Sequence, residues 1–170
     1  PDINVTSYSI GRAYLKRDNK YNRYLIAGSV EYLGPVYISG KELMASKYIA
    51  AFDNNGKLLW SRTDTNMSRV HGIRNRPVID DLGNIYVVAN TEDKDYFNGY
   101  TTKADKNHST VMLMKMNKDG DMLWASNAQV TSAAIFSYGI TFRNSGEVIL
   151  TGANVGLTKW DTYGYRDSIT

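Results

Sequence analysis

One sequence pattern occurs twice in this chain and constrains its fold more than any other feature. The stretch YIAAFDNNGKLLW, residues 48–60, recurs 64 positions later as MLMKMNKDGDMLW, residues 112–124. Each copy has an apolar run, a polar turn ending in glycine, and a second run ending in Leu-Trp. Two apolar runs joined by such a turn are typical of a β-hairpin. The repetition predicts a fold built from similar stacked units.

A second hairpin pattern alternates with the first and occurs three times. Its copies end at small residues that are spaced by 61 and 63 positions, namely Gly28, Ala89 and Gly152. The second and third copies carry Gly83 and Gly146 after polar residues, which is the chemistry of a turn with positive φ. The first copy has Asn22 at this position, and asparagine tolerates the left-handed region better than most residues. We therefore predict the same turn in all three copies.

Together the two patterns predict an all-β fold of four-stranded antiparallel units, the architecture of β-propeller blades. The period is about 63 residues, so about 2.7 repeats are present in one repeat domain. The predicted boundaries are a partial blade at 1–47, a full blade at 48–110 and a partial blade at 111–170. Residues 45–52 could form a helix, but the matching stretch 110–116 lacks a helical period, so we predict a strand.

The composition agrees with a folded β-rich chain and excludes several other classes. Among 170 residues, 42% are hydrophobic and 22% charged, and 13 are tyrosines, which favour strands. The absence of cysteine excludes disulfides, zinc–thiolate sites and thiol nucleophiles. The net charge of +3 comes from interspersed charges, so nucleic-acid binding is not predicted. No apolar run approaches the about 18 residues of a membrane span.

The two patterns in combination resemble the bacterial β-propeller repeats called SBBP-like. The resemblance rests on Asp/Asn-x-x-Gly-x-x-Leu-Trp, followed after a spacer by apolar-x-Asp-x-x-Gly-x-apolar-Tyr-Val-x-Gly/Ala. The segment GKLLWS, residues 56–61, is also similar to blades of quinoprotein-like propellers. The resemblance covers nearly the whole chain and implies a propeller. It implies no single activity, because propellers include both enzymes and binding proteins.

A propeller closes with four to eight blades, which is more than this chain supplies. We therefore expect further blades from the rest of a longer chain or from self-association. The first possibility would make the chain a fragment of a larger propeller.

The connectors between hairpins are the best candidates for a binding site. They span 31–47, 91–108 and 154–167, at the same phase of each repeat, so we expect them at the same end of the structure. Their Tyr, Asn and Gly content is typical of recognition loops on a rigid scaffold. The candidate binding residues are aromatic: Tyr96, Phe97, Tyr100, Trp160, Tyr163 and Tyr165. The alternative is that these side chains cap the ends of the blades.

The residues that repeat between copies are interpreted as structural. Trp60 and Trp124 occupy identical positions, so we predict that they pack neighbouring blades together instead of binding a sugar or a cofactor ring. The predicted structural set also includes the turn glycines: Gly56, Gly83, Gly120 and Gly146.

No catalytic or metal-binding constellation is found in the sequence. The turns at 53–56 and 117–120 resemble part of a calcium loop, but Arg62 and Ser126 stand where a glutamate ligand is needed. The only histidines, His71 and His108, lack metal-site spacing. Adjacent Asp80 and Asp81 would face opposite sides of a strand. The sequence therefore predicts no metal, no cofactor and no catalytic residue.

These observations predict a non-enzymatic, secreted bacterial protein, extracellular or at the cell surface. It would bind a protein or carbohydrate ligand through loops at one end, with no nucleic-acid partner and no membrane span. The first alternative is part of an enzyme propeller, either a quinoprotein-like oxidoreductase or a polysaccharide-active enzyme. The second is a purely structural assembly unit.

Overall fold

The computed structural model describes residues 5–7, 11–63, 72–92, 96–97, 100–101, 109–130, 135–143, 147–154 and 158–160. These residues form β-strands, turns and short irregular segments, with no helix among them. All strand pairs in this part of the chain are antiparallel. The prediction of an all-β antiparallel fold is confirmed.

The first sheet is a meander that contains both hairpin patterns. Its strands are β1 (Val5–Ser7), β2 (Gly11–Asp18), β3 (Arg23–Ile38), β4 (Lys41–Asp53) and β5 (Leu58–Thr63). Strands β2, β3, β4 and β5 pair in chain order, and β1 pairs with the far end of β3. Residues 45–52 lie within β4, so the strand predicted there is confirmed.

The second sheet repeats this meander one period later. Two short strands pair with β8, which is followed in the sheet by β11 and β12, and β15 pairs with the end of β12. The strands are β6 (Gly72–Ile73), β7 (Val78–Ile79), β8 (Ile85–Glu92), β11 (Ser109–Met116), β12 (Met122–Val130) and β15 (Thr158–Trp160). Between β8 and β11, β9 (Tyr96–Phe97) and β10 (Tyr100–Thr101) form a separate pair.

The third sheet consists of two described strands. β13 (Ile135–Phe142) pairs with β14 (Val148–Asn154), and they correspond to β2 and β3 of the first sheet.

The first and second sheets pack face to face because successive side chains of a strand point to opposite faces. The rear face of the first sheet supplies Leu25, Ala27, Ile49 and Ala51 to a shared core. The front face of the second sheet supplies the rest of its buried members: Ile73, Ile85, Val87, Ala89, Met112, Met114 and Met116, with Phe97 of β9. Each fully buried large side chain contributes about 1.5–3 kcal/mol through removal of apolar surface from water.

All three sheets are stacked in the same orientation. On the front face of the first sheet, Tyr48, Ala50 and Phe52 pack with Val36 and Ile38 from the far end of β3. The repeat aligns these three β4 residues with Met112, Met114 and Met116, which form the front face of the second sheet. The rear face of the second sheet packs on the third through its own apolar set: Val88, Leu113 and Trp124 against Ile140, Val148 and Leu150.

The predicted blade boundaries fall inside the hydrogen-bonded sheets and not between them. β3 pairs with β4, which runs through residues 47 and 48, and β8 pairs with β11, which runs through residues 110 and 111. Each complete sheet therefore joins a hairpin of the second pattern to the following hairpin of the first pattern. The divisions between sheets fall between residues 63 and 72 and between residues 130 and 135.

Candidate functional site

The hairpin turns and the connectors lie at opposite ends of the sheets. The turns at 53–57, 80–84 and 117–121 lie at what we call the turn end. The connectors join the far ends of the same strands, which we call the connector end. β15 lies within the third connector and pairs with residues 128–130, the end of β12 that lies away from its turn. The structure therefore agrees with the prediction that the connectors share one end.

The predicted binding residues that the structure describes lie on two elements, the β9–β10 pair and β15. Tyr96 and Tyr100 lie on the β9–β10 pair, where the Cα partners are Tyr100 with Phe97 and Thr101 with Tyr96. Trp160 ends β15, opposite Ala128 at the edge of the second sheet. Tyr163 and Tyr165 lie outside the described residues. A recognition role for these aromatic residues stays a prediction.

Phe97 belongs to the core and not to the surface. Its side chain is fully buried in the layer between the first and second sheets. This burial corresponds to the capping alternative, because the ring closes the apolar core at the connector end. A ligand at this end would meet the residues around Phe97 and not its ring.

Buried polar side chains lie beside the apolar core at the connector end. Ser29 and Lys47 are directly opposite each other on β3 and β4, and Lys47 is fully buried. The Ser29 hydroxyl donates to the Ile73 carbonyl of the second sheet at 3.4 Å. In the second sheet Asn127 is buried on the front face, opposite Met112, and Asn127 Nδ2 has no partner among the described residues. Asn90 is buried on the other face of the same sheet, two residues from Val88. The hydrogen bond from Ser29 to Ile73 therefore links the first and second sheets beside their shared apolar core.

Sequence reasoning missed this polar layer, although one signal was available. Lys47 aligns with Val111 of the next repeat, so a charged residue occupies an apolar strand position. Lysine is almost never fully buried unless it is paired. A charged residue at a position that is apolar in the next repeat indicates that the surroundings of this position differ between the two repeats.

The turn end has a repeated hydrogen-bond arrangement that fixes each hairpin. The first turn residue accepts two backbone N–H groups, two and four residues later, at 2.8–3.0 Å. The acceptors are the Oδ1 atoms of Asp53, Asp80 and Asn117. These oxygens therefore stabilise the turns, as expected for Asx turns.

The backbone conformation of these turns agrees with the glycine pattern. Gly56, Gly83 and Gly120 have φ values of 83°, 85° and 81°, and Asn22 has φ of 50°. The positive φ predicted for Gly83 and for Asn22 is confirmed. Gly146 lies outside the described residues.

Side chains of the first sheet bind the turns of the second. The Tyr21 hydroxyl donates to the Leu82 carbonyl at 3.2 Å, and Arg62 Nε donates to the Gly120 carbonyl at 2.9 Å. Arg23, held by an ion pair with buried Asp18 at 2.7 Å, donates to the Lys118 carbonyl. Much of the polar surface of the turn end is thus used for contacts between sheets. The sequence did not single out Tyr21, Arg23 or Arg62 for this role.

Trp60 and Trp124 both lie between sheets. Trp60 packs against the shared core and over Gly120, where a Cβ would lie only 2.7 Å from a ring carbon. Trp124 packs against the third sheet and makes an edge contact with Tyr86, with ring centroids 6.1 Å apart. These contacts place both indole rings in the packing between units.

Two turn carboxylates and one core phenol have shifted pKa values. Partial burial of Asp80 opposes its ionisation, but hydrogen bonds from Asn84 and Leu82 and the nearby Lys115 outweigh it and lower the pKa. Hydrogen bonds from Asn117 and Arg62 lower the pKa of Asp121. Burial raises the pKa of Tyr48. The hydrogen bonds that lower the pKa values of Asp80 and Asp121 come from their own turns and from Arg62 of the first sheet, so both carboxylates stabilise the turn end.

The described part of the chain contains no group of three or more His, Asp or Glu that could hold a metal ion. His71 and His108 lie outside the described residues. In the same part of the chain there is no helix of the length and apolarity needed to cross a membrane.

Comparison with protein-family models, curated proteins and solved structures gave no match to this chain.

Proposed function

We propose that this chain is a non-enzymatic binding module that recognises a protein or carbohydrate ligand through its connector end. The observation that carries the proposal is the division between the two ends of the stacked sheets. The turn end is engaged by Tyr21, Arg23 and Arg62 in contacts between sheets, whereas the connectors share the opposite end. Loops held by a rigid β scaffold are a common location for recognition.

The stacked sheets support a further part of this proposal, which concerns architecture. Each complete sheet contains a four-stranded antiparallel meander, and successive sheets meet front face to rear face. We propose that they are neighbouring blades of a propeller-type array that resembles the SBBP-like family. In this proposal the protein acts outside a bacterial cell or at its surface, with further blades from a longer chain or from self-association.

The proposed function is tested by binding measurements on variants. A glycan array and a pull-down from culture supernatant would first identify a ligand. Substitution of Tyr96 and Tyr100 by alanine should then weaken binding by about tenfold or more each, as expected for central aromatic contacts.

The matched control is Leu82→Ser at the turn end, where the leucine side chain is 75% exposed. This variant should bind as the wild type does. Unchanged affinity of both tyrosine variants, or an equal loss in the Leu82 variant, would contradict recognition by the connector end.

A further inference from the structure

The segments that lie beside β3 and β8 in the two complete sheets carry basic residues and no acidic ones. β2 pairs with β3, and β6 and β7 pair with β8. Residues 11–17 and 72–79 contain no Asp or Glu, although the chain as a whole has 17 acidic residues against 20 basic ones. The basic residues of the two segments are Arg12, Lys16, Arg17, Arg74 and Arg76.

These two segments lie side by side, because contacts between the sheets join them at both ends. At the connector end, Ser29 is the β3 partner of Arg12 and donates to the Ile73 carbonyl at 3.4 Å. At the turn end, the Lys20 ammonium group donates to the Asp81 carbonyl. We call the surface between these two contacts the basic strip. Its residues are Arg12, Tyr14, Lys16, Arg74 and Arg76.

Three members of the basic strip lie on the face of β2 that points toward the second sheet. Directly opposed residues of an antiparallel pair share a face. The β3 partners of Arg12, Tyr14 and Lys16 belong to the rear face, which packs on the second sheet. Tyr14 is half-buried against the shared core, whereas Arg12 and Lys16 are exposed. The two charges therefore flank an aromatic ring at the boundary between the sheets.

The exposed charges of the basic strip are not used for internal contacts. Arg12, Lys16 and Arg76 are exposed and make no side-chain hydrogen bond or ion pair in the part of the chain that the structure describes. Asp18 follows them on β2 but is buried in an ion pair, and Asp81 lies beyond the strip at the turn end. Carboxylates of these strands thus leave the positive potential of the strip uncompensated.

The spacing of the charges distinguishes between classes of anionic polymer. Arg12 and Lys16 are four residues apart on one strand, which is about 13 Å, and Tyr14 lies between them. Phosphates follow one another at about 3.4 Å along one strand of DNA, so a nucleic acid would place uncompensated phosphates against Tyr14. A polysaccharide with alternating acidic and neutral sugars has more widely spaced charges. Its neutral sugar would meet Tyr14, which presents an apolar ring and a hydroxyl group.

We propose that the basic strip binds an acidic polysaccharide in which charged and neutral sugars alternate. Arg12 and Lys16 pair with carboxylates on either side of a neutral sugar that lies against Tyr14. Arg76 adds a contact from the second sheet, and guanidinium groups bind carboxylates in a bidentate geometry. The strip shares no residue with the aromatic set at the connector end, so either site can be present without the other.

The first test uses a fluorescein-labelled hyaluronate oligosaccharide, whose carboxylates occur on alternate sugars. Its binding to the full chain is followed by fluorescence anisotropy, and the Kd should rise steeply with salt because exposed charges are screened. Neutral dextran should not compete, and oligothymidylate with the same number of charges should compete at least about tenfold more weakly. No binding of hyaluronate, or equal competition by either polymer, would overturn the proposal.

The second test removes the charges of the strip. The triple variant Arg12→Gln, Lys16→Gln, Arg76→Gln should raise the Kd for hyaluronate by about tenfold or more, since one exposed ion pair contributes up to about fivefold. A control variant loses the same net charge from exposed turn positions and should change the Kd by less than about twofold. Its substitutions are Lys57→Gln, Lys118→Gln and Arg143→Gln. Equal losses in the two variants would show a general charge effect and overturn the proposal.

The substitution Tyr96→Ala separates the basic strip from the connector end. It should leave the Kd for hyaluronate unchanged, whatever its effect on a ligand of the connector end. A loss as large as that of the triple variant would place the polysaccharide at the connector end and overturn the proposal.

Discussion

At the scale of single residues, the turns show that a side chain can be required for its geometry and not for its charge. Asp53, Asp80 and Asn117 accept the same two backbone hydrogen bonds through Oδ1. Asn117 has no charge, so the turn itself needs only the oxygen. Asp80 has an additional role, because its second oxygen accepts from the Asn84 amide at 2.8 Å and lies 3.9 Å from Lys115 Nζ.

The substitution Asp80→Asn separates these two roles. The substitution should keep the turn, but the new side-chain amide would place a donor against the side-chain amide of Asn84. We therefore expect the free energy of unfolding at pH 7 to fall by about 1–2 kcal/mol. The pKa of Asp80 is lowered in the folded state, so its stabilising effect is present above the unfolded pKa of about 4. It is lost as the pH falls through the folded pKa. The stabilities from urea titrations of both proteins should therefore converge as the pH falls below the folded-state pKa of Asp80.

The matched control is Asp81→Asn, because Asp81 is the exposed neighbour in the same turn. This substitution should change stability by less than about 0.5 kcal/mol. A wild-type advantage over Asp80→Asn that stays constant down to pH 2 would show that ionisation of Asp80 contributes nothing.

At the scale of elements, side chains of the first sheet pack on a hairpin turn of the second sheet. Gly120 has positive φ and lies under the Trp60 ring, and the Gly120 carbonyl accepts from Arg62. The glycine thus serves both its own turn and the packing between sheets. The tryptophan of one copy of the first hairpin pattern therefore packs on the turn glycine of the next copy.

The substitution Gly120→Ala tests this contact, with Gly40→Ala as its control. Both glycines have positive φ, and a Cβ on Gly40 would meet nothing within 4 Å. The control should lose only the about 1–2 kcal/mol of a left-handed alanine. Gly120→Ala should lose at least about 1 kcal/mol more, because the methyl group displaces Trp60. Equal losses in chemical denaturation would show that the Trp60 contact is unimportant.

At the scale of the whole molecule, the sequence predicted the hairpins better than their grouping into sheets. Turn residues such as Asn22 and Gly83 act locally, so their positive φ could be read from residue type. The pairing of β3 with β4 could not be read from residue type. A four-stranded unit can begin with a hairpin of either pattern, and the order of apolar residues in the sequence is the same in both cases. The same grouping occurs in both sheets, although β3 has 16 residues and β8 has eight.

The contacts between sheets were the hardest to predict from sequence. Arg23 binds a carbonyl 95 residues away, and no local pattern distinguishes it from other surface arginines. The burial of Lys47 likewise depends on tertiary packing, although its mismatch with Val111 was visible. For the candidate site, the sequence predicted that the connectors share one end. It did not predict that Phe97 is buried in the core.

The shared core predicts that the first and second sheets depend on each other for stability. Met114 is fully buried on the second sheet, in the cluster that also contains Ile49 and Ala51 of the first. Met114→Ala should lower the free energy of unfolding by about 2–4 kcal/mol through the cavity that it leaves. Hydrogen exchange should then accelerate for amides in β4 and β8 together, because one apolar layer stabilises both strands. Leu123→Ala, at a half-exposed site, is the control and should change neither rate much. Faster exchange in β8 with unchanged exchange in β4 would show that the sheets are stable independently.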